Sequence, residues 1–280
     1  MEGLASTASV DAERGIGDGM RQAEMVVIFP TFEDVDTVKK TLPSVLEECR
    51  RSGAALIVHD ASEKNRDEMW SYLQSVCNGD GVFLILTSPI SMAAARNMCL
   101  KTALSLYAPT YICMLEDDHG FHPGAVDALV SAMRQYYGTR APNGLRFGLF
   151  SGCLHCWRDL HKFSALPDGH VYPDTDNQLH ALGGANSCFR CAPTSHWQNV
   201  LEGYDPDEYM ISNWQTRHLN FRNYHRGFTS LYVEGGDISF TVDRVGQGYT
   251  QEARLRRWDE DYTASDPRSR YYGKPGSPEA

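Results

Sequence analysis

Short apolar runs alternate with longer amphipathic stretches along the first half of the chain. The runs are rich in β-branched residues and end in polar or turn-forming residues, which is typical of strands buried on both faces of a parallel sheet. They comprise Met25–Phe29, Ala54–His59, Val82–Thr87 and Tyr111–Leu115. The stretches between them carry apolar residues near helical spacing, so a helix is predicted between each pair of consecutive strands.

The connecting helices are predicted at residues 34–53, 63–77 and 92–106. Asp34 suits the start of the first helix, Pro43 predicts a kink or a division within it, and Ser91 suits the cap of the third. This alternation predicts an α/β fold with a Rossmann-like, mostly parallel sheet flanked by helices. Such sheets bind ligands beyond the carboxyl ends of their strands.

Polar residues follow the predicted strands at that edge of the sheet. Thr31 and Glu33 come after the first strand, Asp60 and Ser62 after the second, and the triplet Glu116-Asp117-Asp118 after the fourth. Three consecutive carboxylates repel one another, and a divalent cation is the simplest partner that makes such a cluster favourable. Mg²⁺ or Mn²⁺ held there would take its remaining ligands from a diphosphate. The alternative is a solvated acidic loop at the start of the next helix.

The second half of the chain has a less regular pattern. It predicts a helix from Pro123 to Tyr137, strands near Phe147–Ser151 and Ala185–Arg190, and a helix across Tyr209–Arg226. Residues 1–22 show no sustained period and are predicted to form a flexible leader, and the charged residues 246–280 are predicted to form a C-terminal tail.

Composition narrows the classes of function. Hydrophobic residues make up 42% and charged residues 22% of the 280 residues, as in folded soluble proteins. The formal net charge of −10 argues against a nucleic-acid partner. No stretch approaches the roughly 20 apolar residues of a membrane span, and the N-terminus has no export-signal pattern. We therefore expect a cytoplasmic location, and reduced thiols for the eight cysteines.

Four segments around these strand ends together resemble glycosyltransferase family 2 of the GT-A fold. Residues 26–34 are similar to the family's opening strand, which ends in Pro-Thr and an acidic or amide pair, and residues 56–62 to its second strand, which runs into Asp-Asp-Gly-Ser. Ala95-Arg96-Asn97 is similar to the family's Ala-Arg-Asn helix start, and residues 111–123 to its strand and DXD motif with a trailing Pro. Each piece is short, but their order along the chain makes the resemblance specific.

The resemblance implies a domain organisation and a donor site. It implies a GT-A domain over residues 23–245, with a nucleotide-sugar-binding half, 23–140, and an irregular acceptor half, 141–245. The donor-binding residues that it implies are Pro30, Thr31, Glu33, Asp60, Ser62, Arg96, Glu116 and Asp117. Asp60 is expected to accept a hydrogen bond from the base, and Asp118 with Glu116 to ligate Mn²⁺ or Mg²⁺. The local alternative is that Asp60 and Ser62 only form a turn and that Arg96 is a surface helix residue.

The acceptor side matches the family less closely. Gly183, Gly184 and Asn186 lie in a Gly-rich segment that resembles the strand fronting the family's acceptor site, although a β-bulge or tight turn fits these glycines equally well. Residues 203–205 resemble the family's Gly-Phe-Asp turn, after which many members carry an acidic pair that acts as the catalytic base. Here the corresponding stretch, 213–219, contains no carboxylate.

The base must therefore be sought among neighbouring residues. Asp207, Glu208 and His218 are the first candidates, followed by Asp205, Glu234 and Asp237. His218 fits equally well a metal ligand in a retaining enzyme or a packed surface histidine.

Two further motifs have open interpretations. The pairs Cys153-x-x-Cys156 and Cys188-x-x-Cys191 suggest zinc, but the segment between them is longer than in a compact zinc ribbon, and small buried thiols are the favoured interpretation. Residues 254–258 match the R-x-x-R-W motif of the family's membrane-embedded processive synthases. Without a span, a surface helix is the favoured interpretation of that motif.

The predicted function is a metal-dependent, non-processive and inverting transfer of a sugar from a nucleoside diphosphate sugar. A UDP-sugar is the favoured donor, and a small molecule, peptide or glycan is the expected acceptor. The alternative is a catalytically inactive nucleotide-sugar-binding or scaffolding protein on the same fold, since the acidic pair is missing. A sugar nucleotidyltransferase or a dinucleotide oxidoreductase would need a Gly-rich loop after the first strand, which Pro30–Glu33 does not provide.

Overall fold

The computed structural model describes residues 21–90, 92–152, 163–173, 189–203, 219, 222–236 and 238–240. Within them a nine-stranded sheet forms the centre of the fold, and a second sheet has two strands. The strands are β1 (Met25–Thr31), β2 (Ala55–Asp60), β3 (Val82–Leu86), β4 (Tyr111–Leu115), β5 (His119–Phe121), β6 (Arg146–Ser151), β7 (Phe163–Ala165), β8 (Val171–Pro173), β9 (Phe189–Pro193), β10 (Phe228–Tyr232) and β11 (Ile238–Phe240).

The order in the large sheet is β3-β2-β1-β4-β9-β6-β10-β8-β7. Strands β1 to β4 are mutually parallel, β9 is antiparallel to both β4 and β6, and β10 is parallel to β6. Strands β6 and β10 therefore run in the same direction as β4. Their carboxyl ends and those of β1 to β4 meet along one edge, where ligands of such sheets bind.

Helices flank the sheet on both faces. They are α1 (Val35–Ser52), α2 (Arg66–Val76), α3 (Met92–Leu106) and α4 (Ala125–Tyr136). Alternate residues of β1 enter two separate core clusters, with Val27 and Phe29 in the cluster that contains α1, α2 and α4, and Val26 and Ile28 in the cluster that contains α3. This alternation explains why the first strands are apolar throughout. No described helix is long and apolar enough to cross a bilayer.

The predicted elements of the first half are confirmed, with small changes at their ends. Pro43 does not divide α1, which runs as one helix from the Asp34 cap to Gly53 at a φ of 72°. The second helix begins at Arg66 rather than Glu63, because the backbone N–H groups of residues 63–65 bind the Glu33 carboxylate instead of forming a helical turn. Ser91, the predicted cap of the third helix, lies outside the described residues.

The second half differs more from the sequence prediction. The helix predicted at Pro123–Tyr137 is α4 and the strand at Phe147–Ser151 is β6, whereas the strand predicted at Ala185–Arg190 is seen from Phe189 and extends to Pro193. Strands β5, β7, β8, β10 and β11 were not predicted. Of the helix predicted at 209–226, residues 219 and 222–225 are described and helical.

A buried carboxylate on α1 fixes the start of α4, the helix that follows the acidic triplet. The Glu48 side chain is 2% exposed, and its oxygens accept hydrogen bonds from the backbone N–H groups of Gly124 at 3.1 Å and Val126 at 3.0 Å. Arg51 compensates the charge of Glu48 at 2.7 Å and also contacts Asp127 of α4. Glu48 thus acts as an N-terminal cap supplied by another helix.

Two glycines let the chain cross from β10 to the second sheet. A Cβ on Gly152 would lie 1.5 Å from the carbonyl oxygen of Gly236, so the two backbones touch where β6 and β10 end. After this crossing β11 pairs antiparallel with β5, and Phe240 stands opposite His119. The two-stranded sheet therefore lies directly beside the acidic triplet.

Candidate active site

The ends of β1 and β2 are joined by the Asp60 carboxylate. The Thr31 hydroxyl donates to Oδ1 at 2.8 Å, and the Ser62 hydroxyl donates to the same oxygen at 2.7 Å. The Ser62 backbone N–H donates to Oδ2 at 3.1 Å, and the indole N–H of Trp70 on α2 donates to that oxygen at 2.8 Å. Asp60 and Ser62 are both 0% exposed. The carboxylate therefore holds two strand ends and a helix together.

The Glu33 side chain fastens the loop after β1 to the loop after β2. Its carboxylate accepts hydrogen bonds from the backbone N–H groups of Glu63, Lys64 and Asn65 at 2.7 to 3.2 Å. Burial acts to raise the pKa of Glu33, but the bonds from Lys64, Glu63 and Asn65 outweigh it and lower the pKa. Glu33 itself has a φ of 63°, which is costly for a residue with a side chain.

The acidic triplet follows β4 at the middle of the same edge. The Asp117 side chain accepts a hydrogen bond from the backbone N–H of Phe32 at 3.3 Å, so the triplet is tied to the loop after β1. The Thr41 hydroxyl on α1 lies 2.6 Å from the backbone carbonyl of Asp117, to which it can donate. Asp117 is 8% exposed. Packing and hydrogen bonds thus hold the triplet in one conformation.

The outer members of the triplet each have a partner. The Arg96 guanidinium on α3 is fully buried and lies 2.5 Å from the Glu116 carboxylate. Nδ1 of the buried His119 contacts the Asp118 carboxylate, whose side chain is 15% exposed. Arg96 is therefore not a surface residue, since it compensates one of the three negative charges.

Comparison with known proteins identifies the segment that carries this site. Residues 26–163 match the sequence profile described as Glycosyl transferase family 2. This segment belongs to glycosyltransferase family 2. The family predicted from the sequence is confirmed, and the matched segment includes Thr31, Asp60, Arg96 and the acidic triplet. No curated protein matches the chain by sequence.

Solved structures agree with the fold. The mannosyltransferase PcManGT from Pyrobaculum calidifontis, determined with GDP-Man and Mn²⁺, is similar with a TM-score of 0.53 at 16% identity, covering 84% of this chain and 61% of its own. GalNAc-T7, determined with UDP, GalNAc and Mn²⁺, is similar with a TM-score of 0.52 at 13% identity, covering 78% of this chain and 44% of its own. Identities this low establish the fold alone, and the GT-A type fold predicted from the sequence is confirmed. The chain corresponds to less than two thirds of the length of either protein.

The carboxylates of the family 2 domain suit a hard divalent cation. Among the residues that the structure describes, no three His, Cys, Asp or Glu side chains form a complete metal cluster. Mg²⁺ and Mn²⁺ do not require one, because they bind through one or two carboxylates and fill the remaining positions with water and phosphate oxygens. Asp118 fits that requirement better than Glu116, because Glu116 is paired with a permanently charged guanidinium whereas Asp118 contacts a histidine.

Several predicted site residues cannot be placed. Gly183, Gly184, Asn186, Asp205, Asp207, Glu208, His218 and Asp237 lie outside the described residues, as do Cys153, Cys156 and Cys188. Cys191 is described, and it is a buried free thiol opposite Cys113 of β4. Glu234 follows β10 at the edge where the triplet lies, and its backbone N–H donates to Nδ1 of His170 at 3.0 Å.

Sequence reasoning missed the residues that support the site from a distance. Trp70 completes the hydrogen bonding of Asp60, Thr41 contacts the triplet backbone, and Glu48 caps α4. The one available signal was the position of Thr41 and Glu48 on the apolar face of α1, since buried polar residues on such a face need partners. Nothing in the sequence around Trp70 indicates that its indole reaches Asp60.

Proposed function

We propose that this protein transfers a sugar from a nucleoside diphosphate sugar to a small-molecule, peptide or glycan acceptor. The observation that carries the proposal is the placement of Glu116, Asp117 and Asp118 at the carboxyl edge of the parallel strands of a family 2 domain. There the triplet is hydrogen-bonded to the loop after β1 and paired with Arg96. A UDP-sugar is the favoured donor, as expected from the sequence.

A divalent cation, Mn²⁺ or Mg²⁺, is part of this proposal. Asp118 is its first ligand, and Glu116 becomes a second ligand only if its pairing with Arg96 is released. A bound cation would supply charge neutralisation at the diphosphate as the glycosidic bond breaks. The structural neighbours determined with Mn²⁺ support this choice.

The chain's own residues have separate tasks in the proposed reaction. Pro30 and Thr31 at the end of β1 and Ser62 after β2 form the floor of the nucleoside side of the cleft. Asp117 connects that floor to the metal side through the Phe32 backbone, and Arg96 balances the charge of Glu116. A rigid floor of this kind lowers the entropic cost of holding the donor in its reactive geometry.

The acceptor half completes the proposal. We assign the acceptor side to Gly183, Gly184 and Asn186, and the removal of the acceptor proton to Asp207, Glu208 or His218. A single transfer with inversion requires that base on the face of the sugar opposite the leaving diphosphate. The net charge of −10 supports an acceptor other than nucleic acid.

Calorimetry with the Asp118→Asn variant tests the metal-dependent donor site. Mn²⁺-dependent binding of UDP-glucose or another nucleoside diphosphate sugar should be lost, while the melting temperature stays near that of the wild type, because a partly exposed carboxylate contributes little to the core. The matched control is Asp80→Asn, an exposed carboxylate before β3, which should leave binding unchanged. Unaltered metal-dependent binding in Asp118→Asn would sink the proposal.

A further inference from the structure

Strand β3 forms an outer edge of the nine-stranded sheet, and among the described strands only β2 pairs with it. Its five residues, Val82–Leu86, include neither a charged residue nor a proline. Its pairing with β2 shows no register shift. Proteins commonly protect an open sheet edge with a charge, a proline or a bulge, because an unprotected edge pairs readily with another strand. Strand β3 has none of these features.

The side chains of β3 are only partly covered by the described part of the chain. Phe83 is 40% exposed, and the other four residues are half-buried, whereas β2 and β4 are buried throughout. Val82, Leu84 and Leu86 pack against the cluster that contains α1, α2 and α4, and Ile85 packs against the cluster that contains α3. By the alternation of a strand, Phe83 lies on the same face as Ile85. A partner at this edge would bury further apolar surface on both faces.

The backbone of β3 also has polar groups at the open edge. The Gly81 carbonyl accepts a hydrogen bond from β2 at 2.8 Å, and the Thr87 N–H donates to β2 at 3.0 Å. Odd-numbered residues therefore direct their N–H and C=O groups toward β2, because these groups alternate in direction along a parallel strand. The corresponding groups of Leu84 and Leu86 point away from β2. An added strand can pair with them.

We propose that β3 pairs antiparallel with β3 of a second copy of this chain, about a twofold axis at Leu84. In this register Leu84 meets its own copy as a hydrogen-bonded pair, which uses the outward-pointing groups. Phe83 meets Ile85 of the second copy, and the symmetry repeats this contact. An aromatic residue opposite a β-branched one is a favourable cross-strand pair. The two nine-stranded sheets then become one continuous sheet.

The charges near this edge are compatible with a second copy as the partner. The net charge of −10 makes two copies repel each other at long range. In the proposed register, however, Asp80 stands opposite Ser88 of the second copy and Gly81 stands opposite Thr87, so no like charges meet. The edge is thus complementary to itself in both its side chains and its backbone. This inference does not depend on the proposed function.

Sedimentation equilibrium of the full chain tests the dimer. The wild type should show a monomer–dimer equilibrium between about 1 and 100 μM, and Phe83→Lys should raise the dissociation constant at least about tenfold. The melting temperature of the Phe83→Lys monomer should stay near that of the wild type, because the side chain is 40% exposed. Met98→Lys is the matched control, since Met98 is an exposed apolar residue on α3, and it should leave the dissociation constant unchanged. A wild type that remains monomeric over this range would overturn the inference.

Disulfide crosslinking tests the register. In a non-hydrogen-bonded antiparallel pair the Cα atoms are about 4.5 Å apart, a separation that a disulfide spans. Phe83→Cys and Ile85→Cys are made as separate proteins, mixed, and oxidised with oxidised glutathione. A covalent dimer on non-reducing electrophoresis should form in the mixture, and far less of it in either variant alone or in the wild type, because residue 83 meets residue 85 of the other copy. A dimeric wild type whose variants give no crosslink in the mixture would place the interface elsewhere and contradict the pairing of β3.

Discussion

Arg96 on α3 and Glu116 after β4 form an ion pair of 2.5 Å in which the cation is fully buried and the carboxylate is 21% exposed. The family resemblance implied that the two residues contribute separately to a donor site. Their pairing compensates one of the three negative charges of the triplet. It also fixes the start of α3 relative to β4.

Removing the carboxylate of this pair should destabilise the fold more than removing the guanidinium. Glu116→Gln leaves a buried guanidinium facing a neutral amide, whereas Arg96→Met leaves a carboxylate that water can reach. We expect Glu116→Gln to lower the free energy of unfolding by about 1–3 kcal/mol, and the double variant to cost less than the sum of the two single variants. Urea unfolding measures all three, and strict additivity would show that the pair is not coupled.

The capping role of Glu48 predicts a contrast between adjacent glutamates. Glu48→Gln should destabilise the fold by about 1–3 kcal/mol, because the amide accepts the Gly124 and Val126 N–H groups less well and loses Arg51. The control is Glu47→Gln, since Glu47 lies on the exposed side of α1. Its change in the free energy of unfolding should be within about 0.5 kcal/mol of zero. Equal losses in the two variants would contradict the capping role.

The buried His196 predicts that the free energy of unfolding decreases as the pH is lowered through a defined range. Burial lowers its pKa from 6.5 to about 4, although the bond with Asn223 at 2.8 Å acts in the opposite direction. Because the unfolded chain binds the proton first, stability is complete above pH 6.5 and is lost as pH falls toward 4, by at most about 3 kcal/mol.

The test for His196 is urea unfolding at several pH values between 4 and 7. His196→Gln should be less stable than the wild type at pH 7 but lose less stability on acidification. His225→Gln removes an exposed histidine nearby. In this variant the free energy of unfolding should depend on pH as it does in the wild type. If the free energy of unfolding of His196→Gln depends on pH as in the wild type, other groups cause the acid sensitivity.

Three separate variants test the candidates for the catalytic base, namely Asp207→Asn, Glu208→Gln and His218→Ala. Loss of the base should lower turnover by roughly 10²- to 10⁴-fold with donor affinity kept, whereas loss of a metal ligand should weaken metal and donor binding together. NMR of the product anomer completes the test. A retained configuration would contradict the proposed inversion, and normal turnover in all three variants would move the search to Asp205, Glu234 and Asp237.

The sequence predicts well those strands and helices whose hydrophobic pattern is regular along their whole length. Strands β1, β2 and β4 are buried on both faces, so their apolar runs are unbroken and the polar residues at their ends are easily recognised. Strand β10 was missed because the buried Thr229 and Ser230 interrupt its apolar run. Strands β5 and β11 have three residues each, too few to show a period.

The site was predictable to the same extent. The gathering of polar residues at the strand ends was predicted because topology alone brings those ends to one edge, and the roles of these residues in donor and metal binding stay predictions. The partners of those residues were not found, because the Arg96–Glu116 pair and the Trp70–Asp60 bond depend on how α3 and α2 are rotated against the sheet. Helix rotation is set by packing of whole faces, which no local pattern encodes.

Release of a nucleoside diphosphate from UDP-, GDP- and TDP-sugars is the most direct measurement of the central claim. With Mn²⁺ present, the wild type should release the diphosphate from at least one donor, slowly onto water and faster with an acceptor, and both chelation of the metal and Asp118→Asn should abolish release. Metal-dependent binding of a donor without any release would instead favour a catalytically inactive nucleotide-sugar-binding protein. Release that continues unchanged in Asp118→Asn would contradict the placement of the reaction at the acidic triplet.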